Sequence, residues 1–391
     1  MAIGDIGSII DTEKWFATDP YLSSLSHATG TIYLAICSRN PTVSSLSIDG
    51  AGNIASVIDT LDLGSVGGVA MPAVHIAGDV YAIAFLDATK VVVKTFTCDS
   101  SGNLAAAPPC DTIILDDKPS NAGFWAHLIP SHQANIYIVA FTDDFDDGRL
   151  ATIRINDDGS IDEPVLDARV IEAGRGRYPW LINISSNLFA VIISSATANA
   201  SRIRTFTVSD TGTITLKDTT LFDSATNSGN GGVILPVSGD IYVIFWQGFA
   251  GVAEIITVSI DAAGDISDTN IDEWKYGAPA GPRAMLVSEN LAANGQVFVV
   301  GGEAASDQVF TVEILNNGTI TKSKKSELTL VGYPVAPIGN GVVSPAFGIY
   351  AYCFRDYTGA ILGGCLETFP VETKSPIVAP TVTTDPATEV T

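Results

Sequence analysis

Short runs of alternating apolar and polar residues, rich in Ile, Val, Thr and aromatics, succeed one another along most of the chain, broken by clusters of Gly, Asp and Asn. This alternation predicts half-buried β-strands joined by tight turns. The β-branched runs Thr205-Phe-Thr-Val208 and Thr257-Val-Ser-Ile260 each lead into an Asp/Gly cluster of the kind that turns a hairpin. The cluster recurs as DGAGNI from Asp49, DSSGNL from Asp99, DDGSI from Asp157, DTGTI from Asp210, DAAGDI from Asp261 and NNGTI from Asn316. Its glycines, at 52, 102, 159, 212, 264 and 318, are 50, 57, 53, 52 and 54 residues apart. Upstream of the clusters runs a second signal, Gly or Asn before Ile, Val or Leu and an aromatic: Gly30 to Tyr33, Gly78 to Tyr81, Asn135 to Tyr137, Asn187 to Phe189, Gly239 to Tyr242, Gly295 to Phe298 and Gly348 to Tyr350.

One unit therefore reads as an inner strand A, a turn, an aliphatic strand B carrying the aromatic, a variable loop, strand C, the Asp-x-x-Gly turn and strand D. Four strands in about fifty residues is the repeat of a propeller. Seven units predict an all-β, seven-bladed β-propeller of four-stranded antiparallel blades over residues 4–371. The seventh unit has strands A, B and C between Pro334 and Phe369 and then loses the pattern. Residues 4–16 resemble the D strand of unit five, Gly264 to Trp274, and are expected to complete the last blade and close the ring, leaving no open edge there.

The Asp-x-x-Gly turn is similar to the Asp-box of sialidase-type propellers, although most copies lack the Ser before the Asp and the aromatic after the Gly. The repeat also resembles lactonase-like propellers, whose strand-C turn has a similar Asp and Gly. Backbone geometry alone accounts for these turn residues, so the resemblance implies a fold and no particular activity. Residues 372–391 change to Pro, Thr and Val and read as a linker or tail. The stretch Pro380 to Thr391 resembles the first strand of fibronectin-like or immunoglobulin-like modules of large surface proteins, which implies a chain that continues.

Composition narrows the function classes. With 46% hydrophobic and 16% charged residues, the 391-residue chain can bury a large core. Asp and Glu number 43 against 20 Lys and Arg, a net charge of −23, which is the wrong sign for a nucleic-acid partner. The longest apolar stretch, Val66 to Leu86, is interrupted by His75 and Gly78-Asp79, so no membrane insertion is expected. Met1 to Asp5 shows no secretory leader. The serine-hydrolase elbow, the P-loop and the dinucleotide fingerprint are absent from the sequence. Five cysteines lack C-x-x-C spacing. Cys353 and Cys365, flanking the turn Asp356 to Gly359, form the best disulfide pair; Cys98 and Cys110 fit less well, and buried free thiols are the alternative.

In the propeller reading, D-to-A connections and B-to-C loops share an upper face, and A-to-B and C-to-D turns share the lower one. Eight of ten arginines fall on upper loops or their edges (39, 149, 175, 177, 202, 204, 283 and 355), whereas the lower turns are rich in Asp. The tryptophans, at 15, 125, 180, 246 and 274, lie near the upper ends of strands. The densest cluster is Arg175-Gly-Arg177-Tyr-Pro-Trp180. Guanidinium forks suit carboxylates or sulfates, and flat rings stack on sugars, so Trp125, Arg175, Arg177, Tyr178, Trp180, Trp246, Arg283, Tyr333 and Arg355 are the candidate ligand contacts. The competing reading pairs the arginines with Asp143, Asp144, Asp146, Asp147 and Asp356 and uses the tryptophans to cover the blades.

His127 with Tyr178 and Arg175 is the sharpest catalytic candidate, a base beside an arginine-bound carboxylate as in a lyase. His27 and His75 sit at equivalent lower ends of strand A, and His127 and His132 flank strand A of the third blade; a metal ring in the channel competes with structural roles. Asp143 to Gly148 resembles a calcium loop without EF-hand spacing, which leaves a structural Ca²⁺ on Asp144, Asp146 and Asp147 as the single cofactor candidate. Asn183, Asn199 and Asn317 begin glycosylation sequons.

These features favour a non-enzymatic recognition or structural propeller of a cell-surface or virion protein, binding glycan or protein through its upper face. The alternatives are a carbohydrate-active enzyme, lyase or glycosidase, and a self-associating subunit in which basic upper loops meet acidic lower turns.

Overall fold

Seven antiparallel sheets form the blades of a propeller in the computed structural model of the chain. The structure describes residues 7–15, 23–37, 42–64, 72–87, 90–106, 110–116, 126–143, 145, 147–174, 176–195, 200–223, 232–247, 252–276, 284–292, 295–303, 308–329, 342–346, 349–356 and 363–371. Blade 1 runs A to D as Ser23–Thr29, Ile32–Cys37, Thr42–Ser47 and Asp59–Asp62, and blade 2 as Val74–Ala77, Val80–Asp87, Lys90–Cys98 and Thr112–Asp116. Blade 3 is Ala126–Pro130, Ile136–Thr142, Gly148–Arg154 and Asp167–Glu172; blade 4 is Gly176–Ser185, Leu188–Ser195, Ala200–Val208 and Ile214–Asp223. Blade 5 is Gly232–Ser238, Ile241–Gln247, Ala253–Ser259 and Asp272–Lys275, and blade 6 is Ala284–Ala292, Gly295–Glu303, Gln308–Leu315 and Ser326–Thr329. Blade 7 takes Val342–Ala346, Ile349–Asp356 and Gly363–Pro370 from the end of the chain and Asp11–Trp15 from its start.

The ring closes as the sequence predicts. Asp11 to Trp15 pair antiparallel with Thr368 to Gly364, and strand A of blade 1 touches strand A of blade 7.

Burial follows position in the blade. Strand B, as in Ile136–Thr142, is buried along its whole length because neighbouring blades cover both of its faces. Strand D alternates, as in Asp59–Asp62 and Ser326–Thr329, because one of its sides meets solvent. The recurring aromatic of strand B (Tyr33, Tyr81, Tyr137, Phe189, Tyr242, Phe298 and Tyr350) is buried in every blade. Where strand C also supplies a ring opposite, the two stack, as Tyr81 does on Phe96 at 5.9 Å and Phe189 on Phe206 at 5.7 Å.

The Asp-x-x-Gly turn joins blades as well as strands. Its first residue accepts from the amides that follow: Asp49 Oδ1 takes the N–H groups of Ala51 and Asn53, both at 2.9 Å. The Asn53 side-chain amide holds the Asp49 carboxyl below the usual carboxylate range. In blades 3, 4 and 6 the residue at that first position is Asn156, Ser209 and Leu315, one place before the Asp or Asn on which the sequence pattern centres. The glycine then sits at φ near +90°, from +87 to +91 in all six turns, and its carbonyl accepts a hydroxyl from strand C of the preceding blade. The donors are Thr368 to Gly52, Ser45 to Gly102, Thr95 to Gly159, Thr152 to Gly212, Thr205 to Gly264 and Thr257 to Gly318. Two residues beyond each glycine, the backbone N–H is accepted by an Asp on or next to strand D of the preceding blade: Asp11, Asp59, Asp111, Asp167, Asp218 or Asp272. Blade 6 has Ser326 at that strand-D position. The blade after it has no Asp-x-x-Gly turn to hold, because its strand D comes from the N-terminus.

Asp218 makes the energetic point. It accepts the N–H of Thr219 at 2.7 Å and that of Ile266 in the next blade at 2.8 Å. Leaving the part-buried Ile266 N–H without an acceptor costs about 1–3 kcal/mol. The Thr219 N–H is exposed and can turn to water, so Asp218→Ala is expected to lower the unfolding free energy by about 1–3 kcal/mol, the cost at Ile266, read as an earlier urea midpoint. An unchanged midpoint would show that the contact carries no stability.

Two cysteine expectations resolve differently. Cys98 is buried and free, its thiol pushed up to about 11 by burial, and Cys110 is free as well. For the proposed bridge, the register pairs Cys353 with Leu366 and Cys365 with Phe354. The two cysteines are one step out of register, so their positions belong to opposite faces of the sheet. This pairing does not bring them together as a disulfide requires.

Candidate functional site

The upper rim of blades 3 and 4 is built by glycines and carboxylates that clamp one segment. Gly174, at φ +68, donates its N–H to Asp147 Oδ1 at 2.5 Å, tying the D-to-A connection to the B-to-C loop of blade 3. Gly176 is wedged against Gly148: a Cβ there would lie 2.4 Å from the Gly148 nitrogen and 2.6 Å from its Cα, so no side chain fits. Its carbonyl accepts the Thr142 hydroxyl at 2.9 Å. Past it the strand bulges, the register slipping between Arg177 and Trp180, with Tyr178 held at φ +57. A bulky residue in that left-handed region is uncommon and persists only where its surroundings impose it. Arg177 and Tyr178 are half-buried on this rim, and the Arg177 carbonyl accepts the Ser194 hydroxyl at 3.1 Å.

Other predicted contacts are placed elsewhere. Trp246 is fully buried, its indole edge-on to Phe222 at 5.1 Å inside the core between blades, and so cannot stack on a ligand. Trp180 is buried too, 4.3 Å from the His127 ring. Trp125, Arg175, Arg283 and Tyr333 lie outside the described residues, as does residues 372–391; Arg355 is placed only by its backbone, opposite Gly364.

The catalytic reading of His127 meets a geometric obstacle. Its Nδ1 accepts the Leu181 N–H at 2.8 Å, which commits that lone pair and leaves Nε2 carrying the hydrogen. Burial pushes its pKa down to about 3, so the ring is neutral at ordinary pH with no lone pair free to take a proton. His127 is therefore a structural acceptor joining blades 3 and 4.

Three of the upper-face arginines are paired, Arg149 with an Asp that the competing reading named and two with a glutamate that it did not. Arg149 meets the buried Asp143, which also accepts the N–H groups of Phe145 and Asp147, both at 2.9 Å. Arg202 and Arg204, two positions apart on strand C of blade 4, share one oxygen of Glu172 on blade 3 at 3.3 and 3.4 Å. Glu172 escapes sequence reading because only the packing of the blades sets it against that arginine pair. The Ca²⁺ candidates Asp144 and Asp146 lie outside the described residues, and among the described ones no three His, Cys, Asp or Glu side chains gather as a metal would need. On the lower face, Asp210 accepts from His132 at 3.0 Å and Gln133 at 2.8 Å, and His75 pairs with the Gly78 carbonyl at 2.8 Å.

No known family matches the chain, nor does any curated protein sequence. Solved structures do. A protein of Bacteroides fragilis provisionally assigned as a 6-phosphogluconolactonase superposes with a TM-score of 0.58 at 13% identity, over 80% of this chain and 84% of that one. The likeness is one of fold. A second such protein, from Bacteroides uniformis, gives 0.56 at 15% identity over 80% and 85% of the two chains. Sqt1 of Chaetomium thermophilum gives 0.52 at 11% identity over 90% and 82%. The architecture is that of a seven-bladed β-propeller, and identities this low show the fold and transfer no activity.

Proposed function

We propose that the chain is a recognition propeller of an extracellular or surface-displayed protein. Its upper rim at blades 3 and 4 takes an anionic group, carboxylate or sulfate, carried on a glycan or a protein loop. The observation behind this reading is the clamped segment from Gly174 to Trp180. Arg177 and Tyr178, both partly buried, sit on backbone that Asp147, Gly148 and Thr142 hold in place. Rigidity of this kind lowers the ordering cost of binding. Arginine offers a planar fork to an oxyanion, and tyrosine a stacking face. In a chain of net charge −23, a rim with several guanidinium groups is where an anion can approach.

The test is retention on acidic against neutral polysaccharides, with release of unsaturated or reducing ends followed in parallel. Arg177→Ala is expected to weaken acidic-ligand binding about tenfold or more, the worth of a charge-assisted hydrogen bond. Arg177→Lys should restore only part of it. Equal retention of the parent and Arg177→Ala would remove the upper rim as the site. Product release would move the reading to a carbohydrate-active enzyme.

A further inference from the structure

The inner strands of blades 3, 4 and 5 line a second concave surface. Strand A runs from the upper rim down to the A-to-B turns. Its lower half in three successive blades, 3, 4 and 5, walls a cavity of about 450 Å³. Small-molecule sites commonly measure about 300–1,000 Å³. Ile129 and Pro130, Ile182, and Leu235 and Pro236 supply most of the wall, and all five are at least partly exposed. Each proline also removes an amide N–H from the strand that edges the channel.

The apolar wall is local. Pro130 and Pro236 face Tyr137 and Tyr242 in register, and the matching positions opposite Tyr33 and Tyr81 in blades 1 and 2 are His27 and His75. Among the described residues that line the cavity none is an Asp, Glu, Lys or Arg; their polar side-chain groups are the Asn183 amide, the His127 ring and the Trp180 indole N–H. His127 Nδ1 is already occupied by the Leu181 N–H, so Nε2–H is what this ring can offer, beside the Trp180 indole 4.3 Å away. A charged ligand would lose its hydration here without gaining a counter-charge. A flat uncharged one would keep its contacts.

We propose that this cavity binds an uncharged aromatic small molecule with one hydrogen-bond acceptor, its rings on the Ile129, Ile182 and Leu235 wall and its acceptor on His127 Nε2–H. The proposal does not rest on the anion-binding rim, although the cavity shares Trp180 with its clamped segment.

The neutral naphthyl ketone dye Prodan tests this on the full chain. Its emission is expected to shift to the blue on saturable binding, while an anionic naphthalenesulfonate of the same ring system binds at least about tenfold more weakly, the cost of desolvating an unpaired charge. Leu235→Arg, Ile182→Arg and Ile129→Arg each put a charge into the cavity from a different blade and are expected to cut Prodan affinity about tenfold or more. Leu221→Arg, on the exposed outer strand of blade 4, should leave it unchanged. Circular dichroism identifies any variant that fails to fold, and the remaining cavity variants then decide. No saturable shift, equal binding of the anionic dye, or a loss in Leu221→Arg as large as in the cavity variants would each overturn the proposal.

Discussion

Gly212→Ala is expected to destabilise the propeller by about 2–5 kcal/mol, combining a left-handed backbone penalty of about 1–2 with an overpacking cost of about 1–3. Gly212 holds φ +87, and a Cβ on it would lie 2.7 Å from Leu166 Cδ1 and 3.0 Å from Leu166 Cβ in the preceding blade. The methyl therefore strains its own turn and pries blade 4 from blade 3. It also threatens two hydrogen bonds that depend on that approach, Thr152 to the Gly212 carbonyl at 2.6 Å and Ile214 N–H to Asp167 at 2.9 Å. Gly78 is the internal control. Its φ is +53, and nothing lies within 4 Å of the position a Cβ would take, so Gly78→Ala should show the backbone penalty alone. Urea unfolding of both variants, with Leu166→Ala as the third corner of a double-mutant cycle, separates the terms. Trimming Leu166 makes room, so the pair should be less destabilised than the two single changes summed, by about 0.5–3 kcal/mol. Equal losses at Gly78 and Gly212, together with strict additivity at Leu166, would mean that blade contact adds nothing to the turn's own geometry.

The same junction explains what the sequence could and could not reveal. The turn glycine was legible because it recurs near a fixed period and φ near +90° admits little else. The strand-B aromatic was legible because every blade needs a buried ring at one register position. The N-terminal closing strand was legible from the missing fourth strand of the seventh unit. The partner Asp of each turn was not, because it follows the glycine of its own blade by a variable 6 to 9 residues and acts on the blade after it.

Site residues suffered from a different ambiguity. Trp246 and Tyr178 both lie near upper strand ends, yet one is fully buried and the other half-exposed. Strand alternation gives two faces, and in a propeller both faces of an inner blade are covered, so nearness to a loop does not imply access. The cysteine pair failed for a related reason: a loop between two strands sets their register, and a slip of one residue moves a side chain to the opposite face. The channel cavity had no sequence signature at all, because Ile129, Ile182 and Leu235 belong to three different repeats and meet only once the ring is closed.

The pH dependence of stability gives His127 a role that can be measured. In the native state its pKa is depressed to about 3 by burial, against 6.5 for an ordinary imidazole. As pH falls below 6.5 the unfolded chain takes up a proton that native His127 refuses until about pH 3. The unfolded state thus binds more protons throughout that window, and stability drops as pH drops. Above pH 6.5 the contribution is fully present; by pH 4 it should have fallen by roughly 3 kcal/mol, at about 1.4 kcal/mol per unit. Carboxylates that are hydrogen-bonded in the native turns, such as Asp49 and Asp99, are lost over a lower range, their folded pKa values lying below the ordinary carboxylate value. His127→Gln isolates the histidine. Its side-chain oxygen can still accept the Leu181 N–H but has no proton to gain, so the variant should start less stable at pH 7, for want of the ring packed on Trp180. The gap to the parent should then narrow by roughly 3 kcal/mol on acidification to pH 4. Urea unfolding curves across that range read the gap directly, and parallel profiles for the two proteins would show that His127 is protonated as readily in the fold as out of it.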